Sequence, residues 1–199
     1  LGDRSRMAMQ KAREQAAALM NAKPGEIYFT GSGTEADNIA LRGLMNSKQA
    51  QGRKHFIIST VEHHAVLHTA QAMEKNGFRV TYLPVDSTGL IDLARLDAAI
   101  GEDTALVSII AANNEIGTIQ DIAAIGAVCK KRGVFFHTAA VQAFGHIPLD
   151  VKARNIDLMS VPAHKINRPK GTGASFVRSG HRLAPVVTGG GQAEQPRPG

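Results

Sequence analysis

The chain has 199 residues, of which 43% are hydrophobic and 20% charged, with a formal net charge of +6. This composition fits one globular domain with a sizeable core, and no apolar run approaches the ~20 residues that a membrane-spanning helix needs. Scattered positive residues and few aromatic ones argue against a nucleic-acid surface, which needs a basic stripe. The modest positive charge suits a phosphorylated small molecule better.

The two ends and the cysteine content suggest how the protein is organised. The sequence begins with neither a signal peptide nor an initiator methionine, which predicts a piece of a longer protein. We predict one main domain over residues 1–185 and a Gly- and Pro-rich linker over 186–199, leading to a second domain outside this sequence. The single cysteine, Cys129, excludes an internal disulfide and suits a cytoplasmic location. It shares a predicted helix face with Ile122 and Ile125, which favours a buried, inert thiol.

Helices and strands alternate along the chain. Apolar residues at helical spacing, with start and stop signals, predict helices over residues 4–21, 34–45, 64–76, 92–100 and 121–133. Short β-rich or fully apolar runs predict strands over residues 26–30, 55–60, 78–85, 104–112, 134–138, 157–161 and 173–177. This alternation predicts a three-layer α/β/α domain with a mostly parallel sheet.

Polar clusters follow five of the predicted strands. They occupy residues 31–35, 62–64, 113–115, 137–142 and 164–165. In parallel sheets, ligands gather at the carboxyl ends of the strands. Five such ends with unusual polar residues therefore predict an active site along one edge of the sheet.

The segment "TGSGTE", residues 30–35, lies between a predicted strand and a predicted helix and has the form of a phosphate cradle. Its glycines permit close backbone approach, the Thr34 hydroxyl can donate, and the helix start offers free N–H groups to an anion. Gly33 and Thr34 are therefore candidate ligand-binding residues. The segment lacks the lysine of a P-loop and the third glycine of a dinucleotide fingerprint. A plain strand-to-helix turn is the competing interpretation. The predicted helix carries Glu35 and Asp37 in its first turn.

His63 stands at a predicted strand end just before a helix. An imidazole there can stack on a ring ligand or move protons near neutral pH. His64 and His68 are four residues apart and could bind a metal, but the glutamate of a zincin motif is missing. We therefore expect a solvated helix face and no metal site.

Two further strand ends carry hydrogen-bonding side chains. Asn113 and Asn114 follow the long apolar strand, where either a polar ligand or a tight turn must satisfy their amides. The segment "FFHTAAVQ" places His137, Thr138 and Gln142 at the end of the next strand. Asn114 and Gln142 are candidates for contacts with a ligand.

The segment "AHKINRPKG", residues 163–171, carries His164 and Lys165 after a short apolar strand. A lysine that forms a Schiff base with a carbonyl cofactor needs a partly desolvated cleft, where its pKa falls. The neighbouring histidine and the glycines of "GTG" could hold a phosphate. Considered alone, a solvated loop lysine explains Lys165 equally well; the four other strand ends favour the cofactor.

These motifs, in order along essentially the whole chain, resemble the large domain of NifS/IscS-type cysteine desulfurases. Those enzymes belong to the class V aminotransferase family of fold-type I pyridoxal 5'-phosphate (PLP) enzymes. The resemblance is carried by "GSGTEADNIALRG", "STVEHHAV", "NNEIGTIQDI", "HTAAVQAFGHIPLDV", "DLMSVPAHKINRPKGTG" and "VVTGGGQ". It implies that PLP is the cofactor and that sulfur is removed from L-cysteine, giving alanine and an enzyme persulfide for iron–sulfur cluster assembly or other sulfur delivery.

The resemblance also implies a role for each candidate residue. Lys165 matches the lysine that holds PLP and moves protons at the substrate carbon, and His63 matches the histidine stacked on the pyridine ring. Gln142 matches the glutamine at the cofactor's phenolic oxygen, and Asn114 matches the asparagine beside ring and substrate. The positions that match the phosphate site are Gly33, Thr34 and His164.

Three positions depart from the family pattern. Ala139 stands where the family has an aspartate that pairs with the pyridinium nitrogen, so the electron sink should weaken. Pro162 replaces a phosphate-binding serine or threonine and offers neither hydroxyl nor N–H. Arg168 replaces a glycine. The persulfide-forming cysteine of the family lies in a loop beyond this sequence, and Cys129 does not match it.

The resemblance implies a homodimer that takes L-cysteine as substrate and passes sulfur to an acceptor protein, with no nucleic-acid or membrane partner. A selenocysteine lyase or another class V PLP enzyme is the alternative within the same class. The alternative outside it is a degenerate PLP-fold domain without catalysis, which the residues at positions 139, 162 and 168 favour.

Overall fold

The computed structural model describes residues 2–162 and 172–187. Its helices are α1 (Gly2–Met20), α2 (Gly33–Met45), α3 (His64–Glu74), α4 (Leu93–Ala99) and α5 (Ile122–Arg132). Its strands are β1 (Ile27–Thr30), β2 (His55–Ser59), β3 (Arg79–Leu83), β4 (Thr104–Ser108), β5 (Phe135–Ala139), β6 (Leu158–Pro162) and β7 (Gly173–Val177). Every predicted helix and strand within the described ranges is present.

The seven strands form a single sheet in the order β1-β7-β6-β5-β4-β2-β3. The pairs from β6 to β3 are parallel, and β7 runs antiparallel to both of its neighbours. The prediction of a mostly parallel sheet is therefore confirmed. β4 ends at Ser108, earlier than predicted, but its continuation still bonds β5 through Ile109 N–H to the His137 carbonyl.

Helices cover both faces of the sheet. One core packs α1, α4 and α5 on one face, with Met20, Leu96 and Ile125 among its buried residues. The other core packs α2 and α3 on the opposite face, with Leu41 and Val66 among its members. Neighbouring strand residues join opposite cores because successive side chains of a strand point to opposite faces. These are the three layers that the sequence predicts.

The helix ends follow local signals in the sequence. Asp92 and Asp121 accept hydrogen bonds from the first N–H groups of α4 and α5 through their side chains. Gly133 ends α5 with φ of 66°, a left-handed conformation that glycine adopts at little cost. In the described part of the chain, no helix has the length and apolar character needed to cross a membrane.

Candidate active site

The carboxyl ends of the parallel strands meet at one edge of the sheet, and a cavity of about 160 Å³ opens there. Its lining residues are Gly33, Thr34, Asp37, His63, Ile110, Asn114, Ala139, Val141 and Gln142. The fold thus brings together five of the predicted site residues: Gly33, Thr34, His63, Asn114 and Gln142. The two other predicted site residues, His164 and Lys165, lie outside the described residues, as does Arg168.

The start of α2 is built as an anion-binding helix end. Ser32 caps the helix, and its hydroxyl accepts from Glu35 N–H at 3.0 Å. The Glu35 carboxylate in turn accepts from Gly31 N–H at 2.6 Å. Within the described part of the chain, the N–H groups of Gly33 and Thr34 have no hydrogen-bond partner. Two free N–H groups at a helix start favour a negatively charged ligand.

A glycine on β7 fixes this helix start. A Cβ on Gly173 would lie 2.4 Å from the Ser32 carbonyl oxygen, well inside contact distance. Only glycine therefore lets β7 approach the turn that precedes α2. Gly173, the second glycine of the "GTG" motif, is thus required for close backbone approach.

His63 caps α3 and stands exposed at the rim of the cavity. Its Nδ1 accepts from Ala65 N–H at 3.1 Å, so the neutral ring carries its proton on Nε2. This leaves Nε2–H and the ring face to meet a ligand. His64 and His68 stack on each other with ring centroids 5.2 Å apart. No cluster of three or more metal-ligating side chains occurs among the described residues.

The two asparagines after β4 differ in role: one forms a tight turn and the other faces the cavity. Asn113 builds the turn: its amide donates to the Val61 carbonyl, and its oxygen accepts from Glu115 and Ile116 N–H groups at 2.8 and 3.1 Å. Asn114 is exposed and lines the cavity. A tight turn therefore accounts for the amide of Asn113, and the amide of Asn114 is available to a ligand.

The end of β5 contributes two kinds of residue. Gln142 is exposed and lines the cavity, as predicted for a ligand contact. Ala139 also lines it, so the position where the family has an aspartate does face the site. His137 and Thr138 do not line the cavity; both are fully buried within β5. The Thr138 hydroxyl donates to the Ile109 carbonyl at 2.8 Å, a bond within the sheet.

Buried hydrogen bonds run from β4 through β5 to β6. His137 Nδ1 lies 2.8 Å from the Ser108 hydroxyl, and its Nε2 lies 2.9 Å from the Ser160 hydroxyl. The imidazole of His137 thus bridges the two serines.

Burial sets the charge states in this chain. It lowers the pKa of the His137 imidazole to about 3. It raises the pKa of the Asp37 carboxyl to about 7, against a smaller lowering by the Ser160 hydrogen bond. The His137 Nε2 and Asp37 Oδ1 atoms are 3.8 Å apart, too far for a hydrogen bond. Since the imidazole is neutral at physiological pH, this contact is not an ion pair.

A second buried carboxyl, Glu62, lies behind the cavity wall. One of its oxygens accepts from the Ser59 hydroxyl at 2.6 Å and from Ile110 N–H at 2.8 Å. Its Oε2 has no hydrogen-bond partner among the described residues. Burial raises its pKa to about 8, and the nearby charge of Asp37 adds to that rise. Glu62 supports the loop that carries Ile110 and does not itself line the cavity.

Asp37 is a site residue that sequence reasoning misses. The sequence places it in the first turn of a helix, where it would complement the helix dipole, but α2 begins at Gly33 and Asp37 is 2% exposed. The spacing of Asp37 from the apolar residues of α2 could have indicated its burial. Asp37 stands three, four and seven residues before Ala40, Leu41 and Leu44, so it occupies the apolar stripe that faces the sheet.

Cys129 is buried in the other core with Ile122 and Ile125. Burial raises the pKa of its thiol to about 12, which keeps the thiolate scarce at neutral pH. The predicted burial of this thiol is confirmed, and its inertness stays a prediction.

A larger groove of about 540 Å³ lies at the opposite edge of the sheet, around Gly133, Val134 and Phe135 at the amino end of β5. Its two arginines are already engaged: Arg178 bonds backbone carbonyls and lies 3.4 Å from Asp157, and Arg53 donates to the Thr104 carbonyl. The chemistry-bearing residues lie at the smaller cavity, which we take as the site.

The fold and the cavity define an α/β domain with a polar cavity at the carboxyl edge of its sheet. The class-V aminotransferase family profile matches residues 1–198, and the chain belongs to that family. Members of this family use PLP. Among curated relatives, the cysteine desulfurase IscS of Clostridium botulinum is 48% identical over 190 residues, covering 96% of this chain and 48% of that protein.

Further similar proteins and solved structures support the same family. The mitochondrial cysteine desulfurase of Drosophila melanogaster is 50% identical over 194 residues, covering 96% of this chain and 42% of that protein. A solved structure of a NifS-like protein matches with a TM-score of 0.91 and 40% identity, covering 100% of this chain and 55% of that one. The structure of SspA in complex with cysteine matches with a TM-score of 0.90 and 40% identity, covering 96% of this chain and 55% of that one. The chain thus spans about half the length of the curated relatives it matches.

Proposed function

We propose that this chain is the PLP-binding large domain of a cysteine desulfurase, which removes sulfur from L-cysteine. The observation that carries the proposal is the convergence of four polar strand ends on one cavity whose wall includes the open start of α2. The names of the relatives support the reaction, and the cysteine in the SspA structure supports the substrate.

The described residues fit PLP by their chemistry. The cofactor's phosphate is an anion, and the free N–H groups of Gly33 and Thr34 with the Thr34 hydroxyl would hold it. The ring of His63 at the rim would stack on the pyridine ring. Gln142 would donate to the phenolic oxygen, and Asn114 would lie beside ring and substrate. The resemblance assigns the covalent attachment to Lys165.

When bound, PLP supplies an electron sink for bond cleavage at the substrate amino acid. The chain's own residues supply orientation and proton transfer. His63 is suited to move a proton at Nε2, because its Nδ1 is held by Ala65 N–H. The backbone of α2 stays in place under the phosphate because its cap and Gly173 fix the turn.

The test is direct detection of the cofactor on its lysine. Purified protein is incubated with PLP, treated with borohydride, digested and analysed by mass spectrometry. We expect yellow protein and a reduced adduct on the peptide that contains Lys165. Lys165→Ala should remove both, whereas Lys170→Ala, in the same segment, should keep them. Colourless protein with an unmodified Lys165 would refute the proposal.

The degenerate alternative is favoured by one observation: Ala139 faces the cavity where the family has its aspartate. It predicts cofactor binding without turnover. Exchange of the Cα hydrogen of L-cysteine with deuterated water separates the two functions, because this proton transfer does not need the cysteine of the loop beyond this sequence. Comparison with L-selenocysteine tests the substrate preference.

We further propose a cytoplasmic homodimer that passes sulfur to an acceptor protein. The family resemblance supports the dimer and the acceptor, and the single buried cysteine is compatible with a reducing compartment. Light scattering of the purified protein should give twice the chain's 21.1 kDa; a monomer at all concentrations would contradict the dimer.

A further inference from the structure

The Asp37 carboxyl is the one lining group whose chemistry the family roles leave unused. The residue is only 2% exposed, and its Oδ1 has no hydrogen-bond partner among the described residues. A buried carboxyl group that lacks hydrogen-bond partners is costly. Asp37 lines the cavity, so a ligand can supply a partner for its carboxyl group there.

The position of this carboxyl follows from the sheet register. Ala139 on β5 and Ser160 on β6 are register partners on adjacent parallel strands, and such strands lie about 4.8 Å apart. The Ser160 hydroxyl lies 2.9 Å from His137 Nε2, and that nitrogen lies 3.8 Å from Asp37 Oδ1. Asp37 and Ala139 also line the same cavity, so the Asp37 carboxyl faces the site that an aspartate at position 139 would face.

The charges around Asp37 fix what it can offer. Among the described residues, the one basic group within ion-pair distance is His137, which is neutral. Within that part of the chain, Asp37 is thus a carboxyl group without a cation, and it suits a positively charged N–H donor.

We propose that Asp37 pairs with a protonated heteroaromatic nitrogen of the ligand in this cavity, replacing the aspartate that position 139 lacks. The inference rests on the proposed function, which makes that nitrogen the ring nitrogen of PLP. On binding, the Asp37 carboxylate accepts a hydrogen bond from the ring N–H, and the pair carries one positive and one negative charge. Glu62 stays behind Ile110 as a neutral acid and does not take part.

The first experiment reads the ring nitrogen directly. PLP labelled with ¹⁵N in the ring is bound to the unmodified protein and to Asp37→Asn, and the ¹⁵N resonance of each complex is recorded. We expect the upfield resonance of a protonated nitrogen in the unmodified protein and a shift toward the neutral value in the variant. The matched control is Glu62→Gln, which removes the other buried carboxyl and should leave the resonance protonated.

The second experiment measures affinity without any variant. Binding of PLP is compared with that of its 1-deaza analogue, which carries C–H in place of the ring nitrogen. The unmodified protein should prefer PLP by about tenfold or more, as expected for a hydrogen bond to a charged group. Asp37→Asn should lose this preference, and the double variant Asp37→Asn/Ala139→Asp should regain it.

The outcomes separate this inference from the proposed function. If the unmodified protein takes up no PLP, both are overturned. If it binds PLP with a neutral ring nitrogen, or if Asp37→Asn keeps both the protonated resonance and the preference over the deaza analogue, only the assignment of Asp37 is overturned. Circular dichroism of each variant shows whether a lost signal reflects unfolding, and the deaza comparison on unmodified protein stands regardless.

Discussion

The buried Asp37 carboxyl should make the free protein less stable as the pH rises. Burial raises its pKa from 3.8 to about 7, so between these values the folded protein keeps a proton that the unfolded chain releases. The associated stability is present below pH ~4 and is lost as the pH rises through ~7. About three pH units at ~1.4 kcal/mol each give at most ~4 kcal/mol.

Asp37→Asn removes the titratable carboxyl group and replaces it with an amide of nearly the same size and shape. The variant should therefore gain free energy of unfolding relative to the unmodified protein at pH 8, and the gain should shrink toward pH 4. Urea unfolding followed by circular dichroism across this range measures the difference. Asp150→Asn is the contrasting control. Hydrogen bonds from Ala153 N–H and the Asn21 amide lower the pKa of Asp150, so its loss should destabilise more at neutral pH than in acid.

A pH-independent difference between Asp37→Asn and the unmodified protein would refute the reasoning, because it would mean that Asp37 does not change its protonation between pH 4 and 8. A variant that is less stable at pH 8 would refute it as well. In that case the carboxylate would be worth more to the fold than its burial costs.

Three other results should follow from the described contacts. Burial lowers the pKa of His137 to about 3. Its contribution to the free energy of unfolding is therefore present above pH ~6.5 and is lost as the pH falls toward 3. NMR should show at least one imidazole that is still neutral at pH 5, and a spectrum in which every histidine is protonated at that pH would contradict this. Gly126→Ala should destabilise the protein by about 2 kcal/mol or more, since its Cβ would lie 1.9 Å from the Arg154 carbonyl oxygen. Gly25→Ala is the control and should leave the stability nearly unchanged, because its Cβ would have nothing within 4 Å. Urea unfolding measures both variants. Cys129 should resist a thiol reagent such as iodoacetamide in the folded protein and react in urea, because it is 1% exposed; equal rates in both states would show that the core is open.

Most of the fold could be predicted because its signals are local. The bounds of α5, for example, follow from the Asp121 cap and from Gly133, both within the segment itself. The direction of β7 could not be predicted, since the sequence of a strand does not say which neighbours it pairs with. The antiparallel pairing is decided by β1 and β6, which are distant in sequence from each other.

The site was predictable to the extent that its residues follow strands. Gly33, His63, Asn114 and Gln142 converge because parallel strands end at one edge. Asp37 and Glu62 were not predictable as site components, because their burial depends on contacts made across the sheet. His137, whose Nε2 lies 3.8 Å from Asp37 Oδ1, stands about a hundred residues further along the chain.

The position of β1 at the edge of the sheet has a consequence for biosynthesis. In the described sheet, β1 pairs with β7 alone, so the strand of this sheet that is synthesised first stays unpaired until the last one has been made. Strand β7 carries Gly173, whose close approach fixes the turn at Ser32. The start of α2 therefore reaches its final geometry only late in synthesis, after the rest of the sheet has formed. A nascent chain released before residue 173 should be unable to capture the cofactor, which couples cofactor loading to the completion of the domain.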